Sequence, residues 1–248
     1  MVRREDIKKL LFLGEKIRTK ILHLTHVDKP EGSKILVLAP HPGDDILGCG
    51  GTIILHRQLG HEVNILYLTN GEKGVPGVNH NKAGEIRKQE AFQAAPLLKI
   101  DESNLHFLNL PDGDLINHSG SNYEFRQILE NTNPDFIYLP SFLEKHRDLY
   151  ASNVLLKNNL IGSCEIAAYE IWTPHTPNRL VNITPVVEQK RAAMLEHTSQ
   201  LHELDYLEAS IGLNRYRAGM YSVGIQYAEA FVMSASEEYF YLMMETEE

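Results

Sequence analysis

Cysteine is nearly missing from this chain: Cys49 and Cys164 are the only two in 248 residues. They stand far apart, each among apolar or small residues, so no disulfide framework is expected and both read as reduced, buried thiols. Long hydrophobic runs are also absent. The longest apolar stretches are about six to eight residues, short of the roughly 20 that cross a bilayer, and no membrane span is expected. The opening MVRREDIKKLLFLGEKIRTKIL places positive charge ahead of LLFL, but Glu5, Asp6, Glu15 and Lys16 interrupt any secretory hydrophobic segment, which points to the cytoplasm. Basic residues are in deficit: 24 Lys and Arg face 33 Asp and Glu, a net charge of -9. A phosphate-backbone binder needs the opposite surplus to displace counterions, so nucleic acid is not an expected partner.

What is present is apolar residues in quantity, 43% of the chain, enough at this length for one large core. Residues 1–25 carry Ile7, Leu10, Leu11, Leu13, Ile17, Ile21 and Leu22 at near-helical spacing, an amphipathic helix suited to pack on the body or on a second subunit. HVDKPEGSK then breaks the pattern at Pro30 and Gly32. The reading is therefore an extension over 1–33 and one domain over 34–248. From residue 35, strands and helices alternate: strands at 35–39, 63–69, 105–110 and 135–141, with helices from GCGGTIILHRQLG, over 85–99, near 123–132 and near 150–161. IAAYEIWTP (166–174) and RLVNIT (179–184) read as further strands, with helices over 185–198 and 203–213. Strands apolar at almost every position are buried on both faces, so the fold class is α/β, a Rossmann-like doubly wound, mostly parallel sheet flanked by helices.

The stretch LAPHPGDDILGCGGT carries the chemistry. A strand ends at Pro40, and His41, Asp44 and Asp45 follow at once, where ligands bind in open α/β sheets. HPGDD also reads as a plain strand-to-helix turn, with Pro and Gly for geometry and Asp as helix cap, and the residues alone weigh the two equally. Gly48, Gly50 and Gly51 do not form a dinucleotide fingerprint, because its first glycine belongs in the turn directly after the strand; close helix-to-sheet packing explains them as well.

PHPGDDILGCGGT resembles the motif of the PIG-L/LmbE-like deacetylases, His-Pro-Asp-Asp-Glu followed by a glycine-rich helix start. LTNGEKG (68–74), RKQEAFQAA (87–95), FLNLPDGDL (107–115), NPDFIYLPS with EKHRDLYAS (144–152), KRAAMLEHTSQ (190–200) and YAEAF (227–231) resemble further segments of that family, in order, over about 34–233. The resemblance implies a zinc-dependent hydrolase that removes acetyl from an N-acetylated amino sugar or its conjugate, and a homo-oligomer. It assigns two zinc ligands to His41 and Asp44. The third ligand position falls on Leu149 and the general-base position on Gly43, neither of which can serve, because a catalytic zinc takes three protein ligands and an attacking water must lose a proton. Asp45 stands where the family has a supporting Glu and offers a substitute base. His146 matches an oxyanion-stabilising His, and Asp148 the Asp that orients it.

Other residues have double readings. Arg87 contacts a sugar or phosphate oxygen, or pairs with Glu90 one turn along. Asp112 sits in a Pro-Asp-Gly turn that explains it fully, with sugar contact as its second role. His146 and Asp148 also fit a solvated polar loop, His197 a favourable charge at a helix C-terminus, and Trp172 and Tyr169 the core. Three functions remain: an amidohydrolase with an altered metal site, a relative that binds a sugar or partner without turnover, and a nucleotide-binding Rossmann protein, for which GCGG is the sole support.

Overall fold

The apolar runs become the strands of one sheet. The computed structural model describes residues 24–201, 205–221 and 224–245, and the amphipathic helix expected over 1–25 lies almost wholly outside them. The strands are β1 Thr25–Val27, β2 Lys34–Ala39, β3 Glu62–Thr69, β4 Leu105–Leu110, β5 Phe136–Pro140, β6 Glu165–Tyr169, β7 Arg179–Asn182 and β8 Ala228–Ala235. They lie side by side as β1-β7-β8-β6-β5-β2-β3-β4. All neighbours are parallel except β8, which runs antiparallel between β6 and β7. The mostly parallel α/β sheet read from the sequence is the observed one.

Seven helices cover the sheet among the described residues: α1 Asp44–Gln58, α2 His80–Ala94, α3 Tyr123–Thr132, α4 Arg147–Asn159, α5 Val187–Leu195, α6 Tyr206–Tyr221 and α7 Ser236–Glu245. Strand β2 shows why both faces must be covered. Its Ile35, Val37 and Ala39 join Ile46, Ile53 and Ile54 of α1 and Ala91 and Ala94 of α2 in one core. Its alternate residues Leu36 and Leu38 join Phe125 and Leu129 of α3, Leu155 and Leu156 of α4 and Tyr239 of α7 in the other. Cys49 and Cys164 are free and buried. No helix among the described residues is long and apolar enough to cross a membrane.

Several boundaries differ from the sequence reading. Strand β1 falls inside the extension assigned to 1–33, yet it pairs with β7 and belongs to the same sheet. Helix α2 starts five residues earlier than expected because the Asn79 side chain accepts the Lys82 N–H and caps it. The strand read over 166–174 stops at Tyr169, because the loop that follows is held by side chains instead of a neighbouring strand.

Candidate active site

Strand β2 has β3 on one side and β5 on the other, so the chain winds away in opposite directions from its carboxyl end and a crevice opens there. Pro40, His41, Pro42 and Gly43 turn the chain into α1. Gly43 caps that helix at φ 103°, ψ -23°, a backbone region that L side chains rarely adopt. Asp44 and Asp45 fill the first turn, where the helix dipole favours negative charge. His41, Asp44, Arg87, Asp112, His146, Leu149 and His197 all line one cavity of about 400 Å³. Asp148, only 1% exposed, stands behind that wall.

His41 is clasped from both sides. Its Nδ1 lies 2.9 Å from Asp44 Oδ2, which also accepts the His41 backbone N–H at 3.0 Å. Its Nε2 lies 3.1 Å from Asp112 Oδ1 and 3.2 Å from Asp148 Oδ2. Burial opposes charge on the ring, but the Asp44 carboxylate and the hydrogen bonds from Asp112 and Asp148 outweigh it and hold the His41 pKa well above 6.5. Both acids on the Nε2 side have depressed pKa values: burial raises each, and the His41 hydrogen bond and backbone N–H groups more than reverse it. Asp148 takes those of Gly113 (2.6 Å) and Leu115 (3.2 Å), and Asp112 that of Lys73 (2.8 Å). Asp148 therefore serves His41, and its carboxylate does not orient His146 as the resemblance implies.

The reverse contact orders His146. Its Nδ1 accepts the Asp148 backbone N–H at 3.3 Å, capping α4, and this assigns the ring proton to Nε2. The His146 ring stands edge-on to that of His41, centroids 5.3 Å apart. Leu149 is 1% exposed in the cavity wall and offers no lone pair. Asp45 is fully buried, its two oxygens taken by the Gly43 N–H (3.1 Å) and the Tyr67 hydroxyl (3.0 Å). Burial, opposed by the Tyr67 hydrogen bond and aided by Asp44, pushes its pKa up to about 7. Its carboxylate does not line the cavity, so the substitute-base reading of Asp45 has no support in this geometry.

Arg87 lines the cavity and does not pair with Glu90. Its guanidinium donates to the backbone carbonyls of Gly71 (3.1 Å) and Pro42 (2.7 Å), tying the loop after β3 to the His41 loop. Glu90 is instead occupied by the Thr198 hydroxyl and by the N–H and hydroxyl of Ser199. His197 is not a charged helix end: burial, with the nearby Arg87 charge, lowers its pKa to about 3, and neither ring nitrogen has a hydrogen-bond partner among the described residues. Tyr169 is a core residue, as expected, and donates its hydroxyl to Leu38 O. Trp172 is not; it stands at the cavity, 45% exposed.

The glycines of GCGGT serve packing. A side chain at Gly48 would overlap the Tyr169 ring, and α1 departs from helical geometry at Cys49 (φ -145°, ψ 22°). The N–H groups of Gly51 and Thr52 past this kink go to Glu229 of β8 at 2.9 and 2.7 Å, and Lys190 of α5 neutralises Glu229 at 2.7 Å with both side chains fully buried. Sequence reasoning passed over this pair. A lone acid between apolar residues in YAEAF was the available signal.

The imidazole and carboxylates suit a divalent cation. Ligand atoms of His41, Asp112 and Asp148 lie within 4.8 Å of one another, and Asp44 adds a third carboxylate against the same imidazole, a negative excess that a cation offsets. Such nitrogen and oxygen donors match zinc and other first-row divalent ions.

Residues 36–156 match the family model of the GlcNAc-PI de-N-acetylases, PIG-L. The crystal structure of the conserved protein TT1542 from Thermus thermophilus is 30% identical, covers 80% of this chain and 93% of that one, and superposes with a TM-score of 0.66. This chain belongs to the PIG-L family. Other relatives are named for two different reactions. Diacetylchitobiose deacetylase of Thermococcus kodakarensis is 27% identical over 191 residues, 68% of this PIG-L chain and 71% of its own length. The 4-oxalmesaconate hydratase of Pseudomonas putida is 22% identical over 233 residues, 84% and 88% of the two chains.

Proposed function

We propose that this PIG-L protein is a divalent-metal hydrolase, zinc by resemblance, that removes acetyl from an N-acetylated amino sugar or its conjugate. The observation that carries the reading is the clasp on His41. Asp112 and Asp148 hold Nε2, which leaves Nδ1 beside the Asp44 carboxylate on the cavity wall. That is how a metal-binding imidazole is commonly arranged, its far nitrogen fixed by a carboxylate. His41 and Asp44 would hold the cation, and its binding would release the Nδ1 proton. When bound, the cation lowers the pKa of the attacking water toward about 7.

The remaining steps belong to side chains. His146, with its proton on Nε2, donates to the carbonyl oxygen of the acetamide as negative charge builds there. Arg87 and Asp112 hold the loops on either side in place, the first through Gly71 and Pro42, the second through Lys73. Position 43 supplies no carboxylate to take the water's proton, a contribution worth about 10²–10⁴-fold in rate, so turnover is slow.

One observation favours a second reading, a family member that binds the sugar without hydrolysing it: Gly43 and the buried Leu149 remove two different elements of one mechanism. Metal analysis of the purified protein and acetate release from N-acetylglucosamine and N,N'-diacetylchitobiose separate the two. The hydrolase reading expects about one equivalent of metal, lost in Asp44→Ala, together with acetate release. A metal-free protein that releases no acetate overturns it in favour of binding alone.

A further inference from the structure

Trp172 is the chain's single tryptophan, and it is left 45% exposed on the wall of the cavity. Its ring packs against that of Tyr206 of α6, centroids 4.9 Å apart and planes inclined at 57°. Leu47 and Leu201 line the same cavity. An indole buries a large apolar area when covered, so half-exposing one in a concave wall leaves that gain to whatever enters.

The loop that presents Trp172 is held rigidly. The buried Glu144 carboxylate accepts the backbone N–H groups of Ile171 (2.7 Å), Trp172 (3.1 Å) and Thr173 (3.1 Å). Glu144 lies two residues before His146, so one carboxylate ties the aromatic wall to the loop that carries the oxyanion donor. Trp172 follows β6, while His41 follows β2, and β5 lies between the two strands. Two strand spacings separate the ends of β2 and β6, about 10 Å, which is wider than one sugar ring.

We propose that Trp172 and Tyr206 form a stacking subsite for a second pyranose ring, beyond the ring whose acetamide reaches His41; this rests on the amino-sugar reading above. A pyranose has an apolar C–H face that lies flat on an aromatic ring, with hydroxyls at its rim for polar groups such as Gln200 and Lys73 of the same cavity. The preferred substrate is then a disaccharide or longer conjugate, and the acetyl group leaves from the ring nearest His41.

A protein with one tryptophan reports on this site directly. Emission of Trp172 is titrated with N,N'-diacetylchitobiose and with N-acetylglucosamine, and acetate release is measured in parallel. The disaccharide should change the emission saturably and bind about tenfold tighter than the monosaccharide, the order that one stacked ring supplies. Tyr206→Ala should weaken that binding about tenfold. Trp172→Ala should raise KM for the disaccharide about tenfold more than for the monosaccharide, with kcat moved far less, and Trp172→Phe should recover most of the loss. Silent emission, or equal affinity for the two sugars, overturns the subsite whether or not acetate is released. An emission change without acetate release upholds the subsite and overturns the hydrolase reading instead.

Discussion

The imidazole of His197 lies against the backbone of Gly43: a Cβ built on Gly43 would stand 3.4 Å from His197 Nδ1, an ordinary contact. The glycine also holds φ 103°. Gly43→Ala and Gly43→Asp should each destabilise the protein by about 1–3 kcal/mol through backbone strain, seen as a lower urea midpoint. An unchanged midpoint would show that this turn is not strained. Combined with Leu149→His, which supplies a lone pair at the position that the family resemblance gives to a third ligand, Gly43→Asp should still raise metal content and acetate release above the parent. If neither rises, Gly43 and Leu149 do not occupy the base and ligand positions.

Asp148 tests the clasp on His41. Asp148→Asn removes the charge facing His41 Nε2 and keeps one oxygen, enough to accept only one of the Gly113 and Leu115 N–H groups, which bond different oxygens of Asp148. Metal affinity should fall about 10–100-fold, alongside a stability loss of about 1–3 kcal/mol from the backbone N–H left without its acceptor. Affinity equal to the parent's in a calorimetric titration with zinc would show that Asp148 does not tune His41.

Buried neutral histidines should make the fold acid-sensitive. Burial, with the Arg217 charge nearby, lowers the His175 pKa to about 4 from 6.5, and His56 and His197 fall to about 3. Between pH 6.5 and these values the unfolded chain binds protons that the folded chain refuses, so stability is lost as pH falls through that window. The His175 ring is buried with Nδ1 3.7 Å from Glu170 Oε1, and His175→Leu should reduce the loss between pH 7 and pH 5 by roughly 2 kcal/mol. Urea titrations at the two pH values check this, and parallel losses in variant and parent would refute it.

Lys190 and Glu229 form an ion pair with no solvent contact. Lys190→Met leaves the Glu229 charge buried and should cost about 3–5 kcal/mol. Lys190→Met with Glu229→Gln should recover part of that loss, because a neutral amide can still accept one N–H from the kink in α1. Equal destabilisation by the single and double changes would show that charge burial is not the cause.

Much of the fold was legible because strand burial is a local pattern. ILVLA and VNILYLT are apolar at nearly every position, and both proved to be central strands covered on two faces. The edge strand β1 was not legible: THV is three residues long, with two of them exposed, and no run that short rises above the loops around it. In the site, the strand end at Pro40 marked His41 and Asp44, whereas Trp172 read as core because an aromatic in an apolar stretch usually is. What lifted it to the surface was Glu144, 28 residues earlier, a contact no local pattern contains.

Sequence alone determined that this chain folds as a doubly covered sheet and that its polar residues gather at the strand ends, since both follow from side-chain alternation and from where an apolar run stops. Only the tertiary structure decided which carboxylate faces which nitrogen of His41. Asp44 is three residues away and reaches Nδ1 through the turn of the backbone, but Asp148 is 107 residues away and meets Nε2 because β2 and β5 are neighbours in the sheet. A hydrogen bond depends on positions held to a few tenths of an ångström, and in this site packing sets them across a hundred residues of chain.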